Sequence, residues 1–304
     1  MSQCAFFILS PQWPLYYLLQ YVKLNDFLHS DRPEHPFSLL FGHPVDHSLS
    51  PLMHNTAAEY YHLDLHYTAV DVNPRELERL PALLNHENFR GANITIPYKT
   101  SLLEMMDELD ESSRAIGAIN TIERCDGRLI GHNTDAWGFA EPLVPYAAEL
   151  EGERAVVFGT GGAARAVVFA LTQMGLQEIV LVSRHPGRFQ PDAWGDNVIL
   201  AGYEAWTAYA DDSMILVNTT PLGMGAKGGR SPVRNEEKQY LAGRICYDLI
   251  YRPAETVFLQ FANLAGGIPI GGLDMLIYQG SRSFEYWTGH TFPFDLVKKR
   301  ISDE

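Results

Sequence analysis

Arg154-Ala155-Val156-Val157-Phe158-Gly159-Thr160-Gly161-Gly162-Ala163-Ala164 is an apolar run of strand length that ends in a glycine loop and passes straight into a helix-forming stretch. The loop fits the pattern G-x-G-x-x-A. Glycines at such a turn let the backbone bend tightly and approach a pyrophosphate, whose charge then faces free N–H groups at the positive end of the helix. A glycine triplet alone is a weak signal. Set between a strand and a helix, it reads as a dinucleotide-binding turn through Gly159, Thr160, Gly161, Gly162 and Ala163. The following helix of Ala, Val, Phe and Leu fills residues 163–174 and stops at Gly175.

Further along, residues 178–182, 214–217 and 244–249 read as strands, so the loop opens a series of β-α units. After the strand at 178–182, a fold that prefers NAD places Asp or Glu for the ribose hydroxyls. Here stand Ser183, Arg184 and His185, with Arg188 four residues beyond Arg184. Guanidinium groups bind phosphate through paired N–H donors, so this end of the site favours a 2′-phosphate and predicts NADP(H) as cofactor.

Upstream, residues 37–41 read as a strand ending at Gly42, followed by a helix near 51–61 and a strand at 66–70. Asn73-Pro74 with Glu76 starts a helix through about 84, residues 91–96 give a third strand, and a helix is expected from about 99 to 109. This alternation argues a mostly parallel sheet covered by helices. The segment 275–287, with Leu276, Phe284 and Trp287, reads as a helix that returns to this first unit. The expected fold class is α/β with two α/β domains. Residues 37–135 plus 272–304 would form a substrate domain with a mostly parallel sheet, and 136–271 a Rossmann-like NADP-binding domain, with a cleft between that closes by hinge motion. Residues 1–36 form an N-terminal extension, read evenly as an ordered appendage or as a disordered or mis-assigned start.

A chain of 304 residues with 46% apolar residues can bury two such cores. A net charge of −14 and a pI near 5.2 argue against nucleic acid as partner, since no basic stripe is present. Cys4, Cys125 and Cys246 are too far apart for a zinc site or a disulfide framework, and His43, His47 and His54 lack a matching carboxylate, so no metal is expected. The apolar run at 4–9 falls short of the roughly 20 residues a membrane span needs. No Lys or Arg precedes Lys23, so no signal-peptide n-region is read, and a cytoplasmic enzyme of small molecules is expected. The sequence leaves the oligomeric state open, a homodimer included.

A second site signal lies in Gly91-Ala92-Asn93-Ile94-Thr95-Ile96-Pro97-Tyr98-Lys99. Asn93 and Thr95 are two apart on a strand-like run, and Pro97 ends the ladder just before the chain delivers an ammonium group. Gly131-His132-Asn133-Thr134-Asp135 offers a carboxylate to pair with it. Ser48 and Ser50 stand two apart in a loop before a helix, where hydroxyls and N–H groups suit a carboxylate ligand but also suit helix capping.

Together these motifs resemble the shikimate dehydrogenase family, which reduces 3-dehydroshikimate with NADPH. The likeness runs from about residue 37 to 297. It is carried by His47 to Pro51, Asn93 to Lys99, Ile116 to Thr121, Asn133 to Asp135, Gly159 to Ala164, Asn218 to Gly223, Tyr247 to Tyr251 and Gly272 to Gln279. The resemblance implies that Ser48 and Ser50 hold the substrate carboxylate, and that Thr95, Asn120, Tyr251 and Gln279 contact its hydroxyls or carboxylate. It makes Lys99 and Asp135 the catalytic pair and puts Glu111, Leu249 and Gly272 near the cofactor. The chain departs from the family pattern at Ser183 and His185, where Asn and Thr are frequent. Two alternatives remain: a quinate/shikimate dehydrogenase with relaxed NAD/NADP use, and a non-catalytic dinucleotide-binding sensor.

Overall fold

The structure, a computed structural model, describes residues 21–30, 34–188 and 194–303. These residues fold around two sheets. Among them the first sheet holds β1 (Tyr21–Lys23), β2 (Phe37–Gly42), β3 (His66–Asp71), β4 (Phe89–Ile94), β5 (Glu108–Leu109), β6 (Thr121–Cys125) and β7 (Arg128–His132), in the order β1-β3-β2-β4-β6-β7-β5. The second holds β8 (Arg154–Phe158), β9 (Glu178–Ser183), β10 (Val198–Gly202), β11 (Ser213–Asn218), β12 (Ile245–Asp248) and β13 (Ile268–Ile270), in the order β10-β9-β8-β11-β12-β13. All pairs in the second sheet are parallel. In the first, β6 runs antiparallel to both neighbours and the remaining pairs are parallel.

The continuous apolar run of β8 follows from burial on both faces. Ala155 and Val157 pack with Phe139, Leu143 and Val167 on one side, while Val156 and Phe158 pack with Trp206 and Phe258 on the other. The helix Gly272–Thr288 does return to the first unit: Ile277 and Phe284 share a cluster with Leu49 and Met53 of the first unit and with Val297 and Ile301 of the last helix, Phe294–Ser302. Among the described residues no helix is long and apolar enough to cross a membrane.

Two expected elements differ, and one element was not expected. Residues 99–109 are not a helix but a series of turns, a single 3-10 turn at Leu103–Met105 and the short strand β5. Leu102, Met105, Met106 and Leu109 are spaced as on a helix face, but the backbone is instead taken up by the open edge of β7, with Asp107 N–H donating to Leu129 O at 2.9 Å. The helix expected to run from Asn73 through residue 84 splits into a 3-10 helix, Pro74–Arg79, and a helix, Leu80–Leu84, because Pro81 has no N–H to continue the first. Residues 121–132 form an antiparallel hairpin that turns at Asp126 and Gly127, both with positive φ.

Part of the N-terminal extension is integral to the first sheet. β1 adds a parallel strand beside β3, and the helix Leu24–Leu28 buries Leu24 and Phe27 in the same core as Phe37 and Phe89. Residues 1–20 and 31–33 lie outside the described residues.

Candidate active site

Parallel strands leave their carboxyl ends free for loops that bind ligands, and the carboxyl ends of both sheets contribute to one cleft of about 570 Å³. From the first unit it is lined by Ser48, Ser50, Asn93, Thr95, Lys99, Asn120 and Asp135; from the second, by Ala163, Met224, Leu249 and Tyr251; from the C-terminal helix, by Gly272, Met275, Leu276 and Gln279. Asn133 caps the helix Thr134–Ala140 by accepting from Asp135 N–H at 3.2 Å, which fixes Asp135 in the first turn. Lys99 arrives from the turn after Pro97. Its Nζ donates to Asp135 Oδ2 at 2.5 Å, and Asn120 Nδ2 donates to Asp135 Oδ1 at 2.8 Å. Both carboxylate oxygens are thus occupied, while the ammonium keeps N–H groups to spare.

Behind this pair lies a buried polar network. Asn120 Oδ1 accepts from Thr134 N–H at 2.7 Å, Asn93 Nδ2 donates to Ser283 Oγ at 2.9 Å, and the Thr121 and Ser283 hydroxyls meet at 2.7 Å. Tyr67 O–H donates to Asn93 Oδ1 at 2.8 Å. A satisfied network of this kind holds its members in one arrangement. On the second sheet the buried Asp248 accepts from Asn218 Nδ2, Ile250 N–H and Thr256 O–H, anchoring the segment that carries Tyr251. Burial raises the Asp248 carboxyl above its ordinary range against the pull of these bonds, and burial likewise raises the Tyr251 phenol.

The glycine loop fits a dinucleotide. Gly159 has φ +111°, and a Cβ there would lie 2.5 Å from Thr219 Oγ1, so the fold itself demands glycine. Gly161 and Gly162 are different. Neither has a positive φ, and no protein atom lies within 4 Å of where their Cβ atoms would be. Nothing in the packing requires glycine at these two positions, whereas a pyrophosphate laid against the start of the helix Gly162–Gln173 would. At the end of β9, Ser183 Oγ accepts from His185 N–H at 3.1 Å, leaving Arg184 and Arg188 exposed beside the loop.

The sequence supports the same reading. Residues 40–122 match the family model for the shikimate dehydrogenase substrate binding domain, and residues 272–301 match that for the shikimate 5'-dehydrogenase C-terminal domain. A shikimate dehydrogenase (NADP(+)) of Moorella thermoacetica is 42% identical over 274 residues, covering 87% of this chain and 92% of its own. The chain belongs to the shikimate dehydrogenase family. Solved structures agree with that membership. Shikimate 5-dehydrogenase from Thermus thermophilus, in complex with NADP(H) and shikimate, superposes with a TM-score of 0.75 at 35% identity, covering 88% of this chain and 98% of that one. Shikimate 5-dehydrogenase from Listeria monocytogenes, in complex with shikimate and NAD, gives 0.82 at 29% identity, covering 88% and 96%.

Of the residues that the likeness to shikimate dehydrogenases singled out, Ser48, Ser50, Thr95, Lys99, Asn120, Asp135, Leu249, Tyr251, Gly272 and Gln279 line the one cleft. Ser50 is the first residue of its helix rather than a loop residue, and its N–H donates to Ser48 Oγ at 3.2 Å. Gln279 Nε2 donates to Leu276 O of its own helix. Gly272 packs so closely on Leu249 that a Cβ would lie 2.1 Å from the Leu249 carbonyl oxygen. Glu111, by contrast, is exposed at the start of the helix Glu111–Ile116 and is not among the residues lining the cleft. Sequence reasoning missed His43, Met224 and Ser283. Met224 follows a motif that does belong to the likeness, but Ser283 lies beyond every such motif and reaches the site only through helix packing. Among the described residues no group of three or more His, Cys, Asp or Glu side chains is placed to hold a metal.

Proposed function

We propose that this chain catalyses the reversible NADPH-dependent reduction of 3-dehydroshikimate to shikimate. The observation that carries the reading is the Lys99–Asp135 pair, set in the same cleft as Ala163 of the nucleotide loop. When bound, NADPH supplies a hydride to the ketone carbon. Lys99 Nζ then gives a proton to the carbonyl oxygen as negative charge develops there, and takes it back in the oxidation. Asp135 holds Lys99 through one oxygen and is itself held by Asn120 through the other. Ser48 and Ser50 take the substrate carboxylate, while Thr95, Asn120, Tyr251 and Gln279 fix the ring through its polar groups. The glycine loop takes the pyrophosphate, and Arg184 and Arg188 take the 2′-phosphate.

In this reading the substrate unit comprises residues 37–135 with 272–304, the cofactor unit comprises 136–271, and closure between them excludes water during transfer. Both ligands diffuse in water, which accords with a cytoplasmic enzyme. Mixing the purified protein with 3-dehydroshikimate and either NADPH or NADH tests the reading. Shikimate formed with a clear preference for NADPH is the expected result. Equal rates with both cofactors and turnover of quinate would point to the relaxed enzyme, and cofactor binding without turnover to a sensor.

A further inference from the structure

The chain just after β2 delivers His43 to the cleft, a residue to which the proposed reaction gives no task. Its backbone N–H donates to Ile96 O at 3.0 Å, and the preceding Gly42 lies against Thr95, whose Cγ2 is 2.3 Å from where a Gly42 Cβ would stand. His43 therefore belongs to the same strand-end as Thr95, close to the turn that delivers Lys99. Its Nδ1 lies 2.6 Å from Asp71 Oδ1 at the end of the neighbouring β3. Asp71 is almost wholly buried, and its other oxygen accepts from Lys23 Nζ of β1. Burial alone would raise the Asp71 carboxyl, but the bonds from Lys23 and His43 hold it below its ordinary value. With Nδ1–H donating to that carboxylate, the ring is fixed in position and Nε2 is the nitrogen left to meet a ligand.

We infer that His43 is a further substrate-binding residue, accepting a hydrogen bond from a ring hydroxyl through Nε2, and that β1 positions it through Lys23 and Asp71. The inference rests on the proposed reaction and adds to it a part of the chain that precedes residue 40, where the family-model match begins. It makes Lys23 a positioning residue that acts on the cleft from the far edge of the sheet.

The test is steady-state kinetics on His43→Ala, Lys23→Met and the double variant. Both side chains are well exposed, 39% and 61%, so the variants keep their fold, which the thermal midpoint checks. Loss of one neutral hydrogen bond corresponds to roughly a 3–10-fold change. His43→Ala is expected to raise KM for 3-dehydroshikimate by about that factor, with KM for NADPH changed less than twofold. Lys23→Met should raise the same KM by less, and the double variant should be no worse than His43→Ala, because Lys23 acts through His43. Two results overturn the inference while leaving the reaction intact: an unchanged substrate KM in His43→Ala, or additive effects in the double variant. A wild-type chain that does not turn over 3-dehydroshikimate overturns the functional reading and this inference with it.

Discussion

Each Asp135 carboxylate oxygen accepts a hydrogen bond, one from Lys99 and the other from Asn120. A carboxylate so held is suited to orient an ammonium group, and in the proposed reaction Lys99 is the group that meets the reacting oxygen. At the nucleotide end, Arg184 stands exposed after β9. Charge-assisted hydrogen bonds are worth about 1.5–3 kcal/mol, so Arg184→Ser is expected to lower kcat/KM for NADPH by roughly 10–100-fold while changing NADH less than twofold. Equal losses with both cofactors would remove Arg184 from phosphate recognition. His54 makes a different kind of prediction. It is fully buried and stacks on Tyr67 at 4.1 Å. Burial lowers its pKa to about 3. The folded value lies below the unfolded one of about 6.5, so the associated stability is complete above about pH 6.5 and is lost as pH falls toward 3. Between pH 7 and 5 the wild type should lose about 2 kcal/mol more than His54→Leu, measured by urea unfolding. Parallel pH profiles would show that His54 titrates freely.

At the level of elements, most of the parallel framework was legible because its signals are local. The run 154–158 with its glycine loop, the strand from Phe37 and the helix after Gly161 stand where their periodicity puts them. The hairpin β6–β7 was legible too, since Asp126–Gly127 is a strong turn signal between alternating residues, but it passed unread. Residues 99–109 were not legible, because an open strand edge decided their conformation and such an edge exists only after folding. The site residues split the same way. Lys99, Asp135 and the serines sit in local motifs, whereas Ser283 and His43 owe their placement to helix packing and to Asp71 on another strand. The N-terminal segment is the sharpest case. Phe27 is fully buried and meets Phe37 edge-on at 5.6 Å. Phe27→Ala should destabilise the protein by about 3–5 kcal/mol in urea unfolding, whereas a change below about 1 kcal/mol would make residues 21–30 a dispensable arm.

For the whole molecule, the net charge of −14 sets a general repulsion against an anionic substrate and an anionic cofactor, so attraction has to be local. In the proposed reaction Lys99, Ser48 and Ser50, and the arginines after β9 supply it at the points where negative groups would sit. The two sheets aim their carboxyl ends at one cleft, and the C-terminal helix carries Gln279 into it while packing on the first unit. In the proposed reaction, chemistry at that cleft depends on one proton donor, Lys99. The measurement that tests this most directly is the initial rate of NADPH oxidation with 3-dehydroshikimate for Lys99→Ala beside wild type, with thermal midpoints compared. Robust wild-type turnover and a loss of about 10²–10⁴-fold in kcat at unchanged stability is the predicted result. Near-wild-type turnover in Lys99→Ala, with an unchanged pH profile, would contradict the assignment.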